Sequence, residues 1–240
     1  MFLFLVLLPS WIRIRWFVLF QIKDIPFFKG TIYRQLVDFI RGILNSLFLI
    51  ICILFILNFT PWIGWRFELN FGDFLNATLL CFLVGISEEM IFRGWLSIEM
   101  NYLMGYKFGN FFQALIFSLV HLRLDMSFLE TILTLTGLFV FGLVLAQRRN
   151  LDQGSLWGCI GLHGGLVANW FLIQNCFVNF NLQNPSWLFG PGAATPNPIG
   201  GVLGILLLLS MLFYLRFLEV TSRRRSFLGT DNASSNGANP

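Results

Sequence analysis

Charge is what this chain has least of. Of its 240 residues only 12% are Asp, Glu, Lys or Arg, against 56% hydrophobic. A soluble domain carries roughly 25% charged residues. So few charges cannot make a water-facing surface, so lipid must cover most of the molecule. The four cysteines, Cys52, Cys81, Cys159 and Cys176, stand far apart with no Cys-x-x-Cys spacing. That excludes a thiolate zinc site or redox pair and leaves them as small packing residues. Histidine is reduced to His121 and His163, so no His-Glu-x-x-His helix can exist. An internal repeat is also lacking, and proton-coupled transporters usually need one.

The apolar residues gather into runs of about 17–22, the length a helix needs to cross a core of about 30 Å, and mean hydropathy is +0.73. The runs predict an all-α, polytopic bundle of about six spans: Gly42–Phe59, Phe74–Leu96, Phe108–Leu122, Thr131–Gln147, Leu156–Phe177 and Ile199–Phe217. Trp62, Trp65, Trp95, Tyr106 and Trp157 stand near their ends as an interfacial belt. Residues 1–41 form an apolar and basic segment, broken by Pro9 and by Arg13 and Arg15. It lacks a small-residue cleavage site and reads as an interfacial or half-inserted element. Residues 42–222 make the transmembrane domain. Residues 223–240, Gly/Ser/Asn-rich, are expected to be a disordered tail.

The net charge of +4 comes from 16 basic against 12 acidic residues, and the basic ones sit at helix ends. They act as topology signals rather than a nucleic-acid surface. Arg34, Arg41, Lys107, Arg148, Arg149 and Arg223–Arg225 fall on one side of the alternation, and only Arg66 and Arg123 on the other. That bias puts the tail in the cytoplasm. Gly161 with Gly165, and Gly200 with Gly204, are pairs of small residues that allow close helix packing.

Glu88, Glu89 and Arg93 lie deep in the second span, where each charge costs roughly 2.5–3.5 kcal/mol on insertion scales. Glu89 and Arg93 are i,i+4 neighbours and can pair. Glu88 points about 100° away and is left as a free carboxyl beside a neutralised one, which suits a general base. Gly105 lies 17 residues after Glu88 and 16 before His121. If it turns a helical hairpin, Glu88 and His121 face each other at one depth. His163 reaches a similar depth on a later span, and Phe117 at i−4 can pack along the His121 ring. A structural alternative, an interhelical salt bridge and two packing histidines, accounts for each residue alone but not for all of them at one level.

These residues carry a family resemblance. Glu88-Glu89-x-x-x-Arg93-Gly94, then Phe117-x-x-x-His121, then Gly-Leu-His163-Gly-Gly resemble, in order, the three signatures of the CPBP family. That family comprises the CAAX prenyl endopeptidases and the abortive-infection or bacteriocin-processing proteins, and the likeness covers about residues 74–177. One position departs: the family usually places Asn or Asp four residues after the third-motif histidine, and here that residue is Val167. Asn169 stands two further on, some 120° around a regular helix from His163.

The resemblance implies hydrolysis of a peptide bond at or within the membrane by a Glu- and His-activated water. Its expected site residues are Glu88, Glu89, Arg93, His121 and His163. Glu88, His121 and His163 would be the ligands if zinc is used. The implied partners are a membrane-associated peptide or protein and the bilayer. The alternative is a non-proteolytic scaffold, immunity or assembly factor of the same family. The family's site is expected to open to the cytoplasm, whereas the charge bias puts Glu88 and His121 above the cytoplasmic Gly105 turn, toward the far leaflet.

Overall fold

A computed structural model describes residues 2–20 and 30–235. The basic stretch around Lys23 and Lys29 and the last five residues of the tail lie outside the described residues.

Helix starts follow local capping. Thr31 accepts from the Arg34 amide and opens α2 (Ile32–Leu57), ten residues before the expected Gly42. The extra turns carry Asp38, buried but flanked by Arg34 and Arg41 at 4.0 and 3.8 Å. Asn70 caps α3 (Phe71–Glu89). A reciprocal Ser127–Glu130 capping box starts α5 (Phe128–Leu151). Between α3 and α4 (Ser97–Leu119), residues Met90–Leu96 form a π-helical segment. After α6 (Trp157–Leu172) come a second π turn, Ile173–Phe177, and the short α7 (Ser186–Phe189). A 3₁₀ turn, Pro198–Gly200, leads into α8 (Val202–Ser235). The α8 backbone stays helical through most of the stretch whose composition predicted disorder.

Four stretches, not six, are long and apolar enough to cross a membrane among the described residues: Ile32–Leu57, Phe71–Leu119, Phe128–Leu151 and Val202–Ser222. The difference has two sources. α3, the π segment and α4 form one 49-residue helical stretch, broken only where Gly105 takes φ 75° and ψ 162°. That positive φ is open to glycine and strained for a side chain. Past it the chain doubles back, because a Cβ on Gly109 would run into the Asn101 backbone. α6, with 16 residues, is about 24 Å long, short of the roughly 30 Å hydrocarbon core.

The bundle has two unlike ends. At one, Lys107 and Asn110 beyond the Gly105 turn line a cavity with Asn150, at the end of α5, and Arg216 of α8. There the start of α2 also meets the start of α6, Phe39 resting edge-on against Trp157 at 6.1 Å. At the other end β1 (Ile63–Trp65) pairs antiparallel with β2 (Val178–Phe180). Arg66 Nη2 donates to the carbonyls of Gln174 and Asn175 at 2.9 and 2.7 Å. The end of α4 joins the first half of α5 there, through Ser118 Oγ donating to the Leu135 carbonyl at 2.6 Å. These are the basic end and the sheet end below.

The N-terminal segment is a helix, α1 (Phe2–Phe20), that buries Leu8, Ile12 and Trp16 against Met90, Leu156 and Ile160. Glu99, buried on α4, accepts from Arg15 Nε at 2.7 Å, Trp16 Nε1 at 3.0 Å and Trp95 Nε1 at 3.3 Å. One carboxylate thus joins α1 to the π segment.

α6 runs through the middle of the bundle. It touches α2 through bare backbone: a Cβ on Gly161 would collide with the Phe39 carbonyl oxygen, and one on Gly165 would meet Ser46 Oγ at 2.6 Å. Gly200 and Gly204 do not form a second helix-packing pair. Gly200 belongs to the 3₁₀ turn, and Gly204 faces the Pro198 carbonyl. Gly161→Ala is therefore expected to destabilise the protein by about 1–3 kcal/mol, the usual cost of overpacking. Gly64→Ala, where a Cβ meets nothing within 4 Å, should leave the detergent-solubilised melting temperature unchanged. Equal melting temperatures for both variants would refute the α2–α6 contact.

Candidate active site

The five sequence-predicted residues converge from four elements. Glu88 and Glu89 end α3, Arg93 lies in the π segment, His121 follows the C-cap Val120 of α4, and His163 stands on α6. Gly85, one turn before Glu89, gives α6 room to approach, because a Cβ there would meet the Ile160 carbonyl oxygen at 2.9 Å.

Glu89 is the hub. Its Oε1 accepts from Arg93 Nη1 at 2.9 Å and faces His163 Nδ1 at 2.7 Å. Glu89 and Arg93 are both wholly buried. The Glu89–Arg93 pairing is the one their spacing predicts; the His163 contact is not legible in the sequence, because 74 residues intervene. Arg93 is further held by its guanidinium over the Phe117 ring, 4.2 Å from the centroid. Glu89 Oε2, Arg93 Nε and Arg93 Nη2 are buried with no hydrogen-bond partner among the described residues.

Glu88 turns away from this pair, as the helix geometry requires. Its Oε2 lies 3.3 Å from His121 Nε2 and 3.9 Å from His163 Nε2. Both imidazoles are oriented from behind. His121 Nδ1 lies 2.7 Å from the Phe117 carbonyl oxygen, which can only accept, so Nδ1 carries the proton. His163 Nδ1 likewise faces the Glu89 carboxylate. Each ring therefore turns Nε2 toward Glu88. Phe117 packs against both, at centroid distances of 4.8 Å from His121 and 5.9 Å from His163, and Phe141 meets His163 edge-on at 5.3 Å. Phe141 is a site residue that the sequence reading missed; its aromatic position on an apolar helix gave no signal.

A cavity of about 390 Å³ starts at Glu88, His121 and His163. Its walls are mostly apolar, with Leu80 and Val84 of α3, Leu138 and Phe141 of α5, and Leu166, Val167 and Trp170 of α6. Val167, at the position where the resemblance leads one to expect Asn or Asp, lines it directly. Asn169 does not line it; its Nδ2 donates to Ser46 Oγ of α2 at 3.2 Å. The glycine pair after His163 does not unwind the helix, since α6 is regular from Trp157 to Leu172. The π distortion falls instead on Met90–Leu96, around Arg93, as π segments at functional sites often do.

The donor types needed for zinc, one carboxylate and two imidazole Nε2 atoms, are present. Among the described residues, however, no group of three His, Cys, Asp or Glu side chains is gathered closely enough to hold a metal ion.

Apolar helices of membrane-spanning length around a buried carboxylate–histidine centre define an all-α integral membrane protein with an internal polar site. Residues 70–169 match the family model described as Rce1-like, type II CAAX prenyl endopeptidase Rce1-like. The segment runs from the cap of α3 to Asn169 on α6 and so contains all five residues. No curated protein and no solved structure matches the chain.

Removing the Arg93 guanidinium leaves the Glu89 carboxylate buried with only His163 to offset it. Arg93→Ala should lower stability by about 3–5 kcal/mol, the usual cost of breaking a buried pair. Glu89→Gln combined with Arg93→Ala should recover part of that loss, because no bare charge remains. A double variant that melts no higher than Arg93→Ala would refute the pairing.

Proposed function

We propose that this protein is an intramembrane endopeptidase, in which Glu88 activates the water that cleaves a peptide bond. The observation that carries this reading is the convergence of both imidazole Nε2 atoms on the Glu88 carboxylate at the head of an apolar cavity.

The chemistry follows from the groups in place. Water in the cavity gives a proton to Glu88, with His121 Nε2 sharing it, and the oxygen attacks the scissile carbonyl carbon. The carbonyl π pair moves to oxygen. His163, held through Nδ1 by Glu89, presents Nε2 on the cavity side, where an Nε2–H would donate to that oxyanion. Glu89 orients the ring as it orients Arg93. The C–N bond then breaks, the departing nitrogen takes the proton held by Glu88 and His121 and leaves as the amine, and the second product is a carboxylic acid, which gives its proton to water. Apolar walls keep these charge interactions strong by excluding bulk water. No step is routed through a metal.

The family description adds prenylated CAAX proteins as a substrate class, and a membrane-associated peptide is the substrate proposed here. A second reading, a non-proteolytic scaffold, immunity or assembly factor, draws on one observation: Val167 stands where an amide side chain would assist the oxyanion.

Two measurements test the proposal. Glu88→Gln should abolish cleavage of membrane peptides by the purified protein while the variant stays inserted and folded; undiminished cleavage would eliminate the mechanism and leave the scaffold reading. His163→Ala should lose nearly all activity, whereas Asn169→Ala gives up only a hydrogen bond to Ser46, worth about 0.6 kcal/mol in membrane proteins, and should keep most of it. Comparable, near-total losses in both well-folded variants would show that Asn169 belongs to the reacting set.

A further inference from the structure

A second cavity, of about 700 Å³, lies at the basic end and shares no lining residue with the one at Glu88. Its walls come from α4, α5 and α8. α5 stands in the middle and carries the other two helices on its flanks. On the α4 side Phe111 meets Phe139 edge-on at 5.2 Å, and Gly142 lets Ala114 come close, since a Cβ there would lie 2.9 Å from that of Ala114. On the α8 side Gln147 Nε2 donates to Glu219 Oε2 at 2.5 Å. The groove lies between these two contacts.

Its lining changes character along the bundle. On α5, Leu143 and Ala146 come first, and Gln147 and Asn150 follow in the last turns before the helix ends at Leu151. On α4, Lys107 stands two residues from the Gly105 turn, and Phe111 lies one helical turn further in. The groove is therefore apolar toward the middle of the bundle and polar where the spans end. A phospholipid has the same gradient, from acyl chain to headgroup, over the same part of the bilayer.

Two cations flank the polar part without a carboxylate to neutralise them. Lys107 of α4 and Arg216 of α8 are exposed, and neither has an Asp or Glu oxygen within 4.0 Å among the described residues. Glu219, the one acidic residue in the lining, is engaged by Gln147. Next to the lining Asn150, buried Arg149 adds a third positive charge. Its neighbour Arg148 is matched by Asp152, which accepts from Nε at 2.8 Å, whereas Arg149 meets only the Gly154 carbonyl, at 3.4 Å, among the described residues. Long basic side chains at the end of a span reach into the headgroup layer. Basic pockets between transmembrane helices there take anionic headgroups.

From these observations we infer that the groove between α4 and α8 binds one anionic phospholipid, its phosphodiester held between Lys107 and Arg216 and an acyl chain lying on Phe111 and Leu143. The guanidinium and the ammonium donate charge-assisted hydrogen bonds to the phosphate oxygens, and the amides of Asn110 and Asn150 add neutral donors. A phosphate held this way bridges α4 to α8 across α5. A zwitterionic headgroup carries its own cation, which offsets the attraction of the two side chains. The inference concerns binding alone and is independent of whether the protein cleaves a peptide.

The test titrates the purified full-length protein, in neutral detergent, with dioleoylphosphatidylglycerol, with dioleoylphosphatidylcholine and with inorganic phosphate, and follows the first bound molecule by native mass spectrometry. The parent chain should prefer phosphatidylglycerol. Lys107→Gln combined with Arg216→Gln should weaken that lipid about thirtyfold, roughly fivefold for each cation. Both side chains are exposed, so the variants keep the fold. Lys107→Arg combined with Arg216→Lys keeps both charges and should bind as the parent does. Arg34→Gln removes a cation of the same end outside the groove, leaves Asp38 with Arg41 at 3.8 Å, and should change nothing. Equal affinity for the two lipids overturns the inference, as does undiminished binding by the double Gln variant or loss of binding by the charge-keeping one. A loss as large in Arg34→Gln overturns it in favour of diffuse surface charge. Inorganic phosphate bound as tightly as the lipid overturns it in favour of a free-anion site.

Discussion

Glu89 holds Arg93 and His163 on one carboxylate oxygen, and the rest of the site depends on that arrangement. In a low-dielectric interior an ionised carboxylate is tolerable only with partners. Here one partner comes from the next turn of its own helix and the other from α6. Satisfying the buried charge thereby docks two helices and fixes the His163 ring. Phe117 extends the same constraint: its face supports Arg93, its edge packs on His163, and its carbonyl orients His121. Glu88, adjacent in sequence but a hundred degrees around the helix, is left to face the cavity with both Nε2 atoms beside it.

The architecture around this core is arranged for close approach rather than for many contacts. α6 carries glycine where α2 and α3 press against it, so His163 can sit on a short helix in the middle of the bundle. The π segment at Met90–Leu96 widens the turn that carries Arg93, and Trp95 in that segment shares Glu99 with α1. A helix with low charge and two arginines is thereby tied to the element that holds the site's cation. The second buried carboxylate, like the first, works by gathering donors from separate helices.

Much of the site could be read from the chain. Ionisable residues inside apolar runs are costly, so their presence alone marked Glu88, Glu89, Arg93, His121 and His163 as one candidate site. The helical period separated Glu88 from the Glu89–Arg93 pair, and equal arms about Gly105 brought Glu88 and His121 to one level. The count of about six spans is not confirmed, for a local reason. A window of apolar residues registers composition, and it cannot tell a 49-residue stretch bent at Gly105, or the 16-residue α6, from regular spans. The Ser127–Glu130 capping box and the Thr31 cap moved helix starts outward by hydrogen bonds that hydropathy does not sense.

The sequence by itself determined the solvent, the helical class, the residues that had to meet, and which end of the bundle is basic. Each of these follows from local composition, period or the cost of a charge in lipid, and none requires knowing which helix touches which. Only the tertiary structure decided that His163 is oriented by Glu89 across 74 residues, that Asn169 turns to Ser46, and that Asn197 lines the cavity at Glu88. Those outcomes depend on the rotation and approach of whole helices. Such rotations are set by backbone contacts at glycine and by one buried carboxylate seeking two donors, and no single segment encodes them.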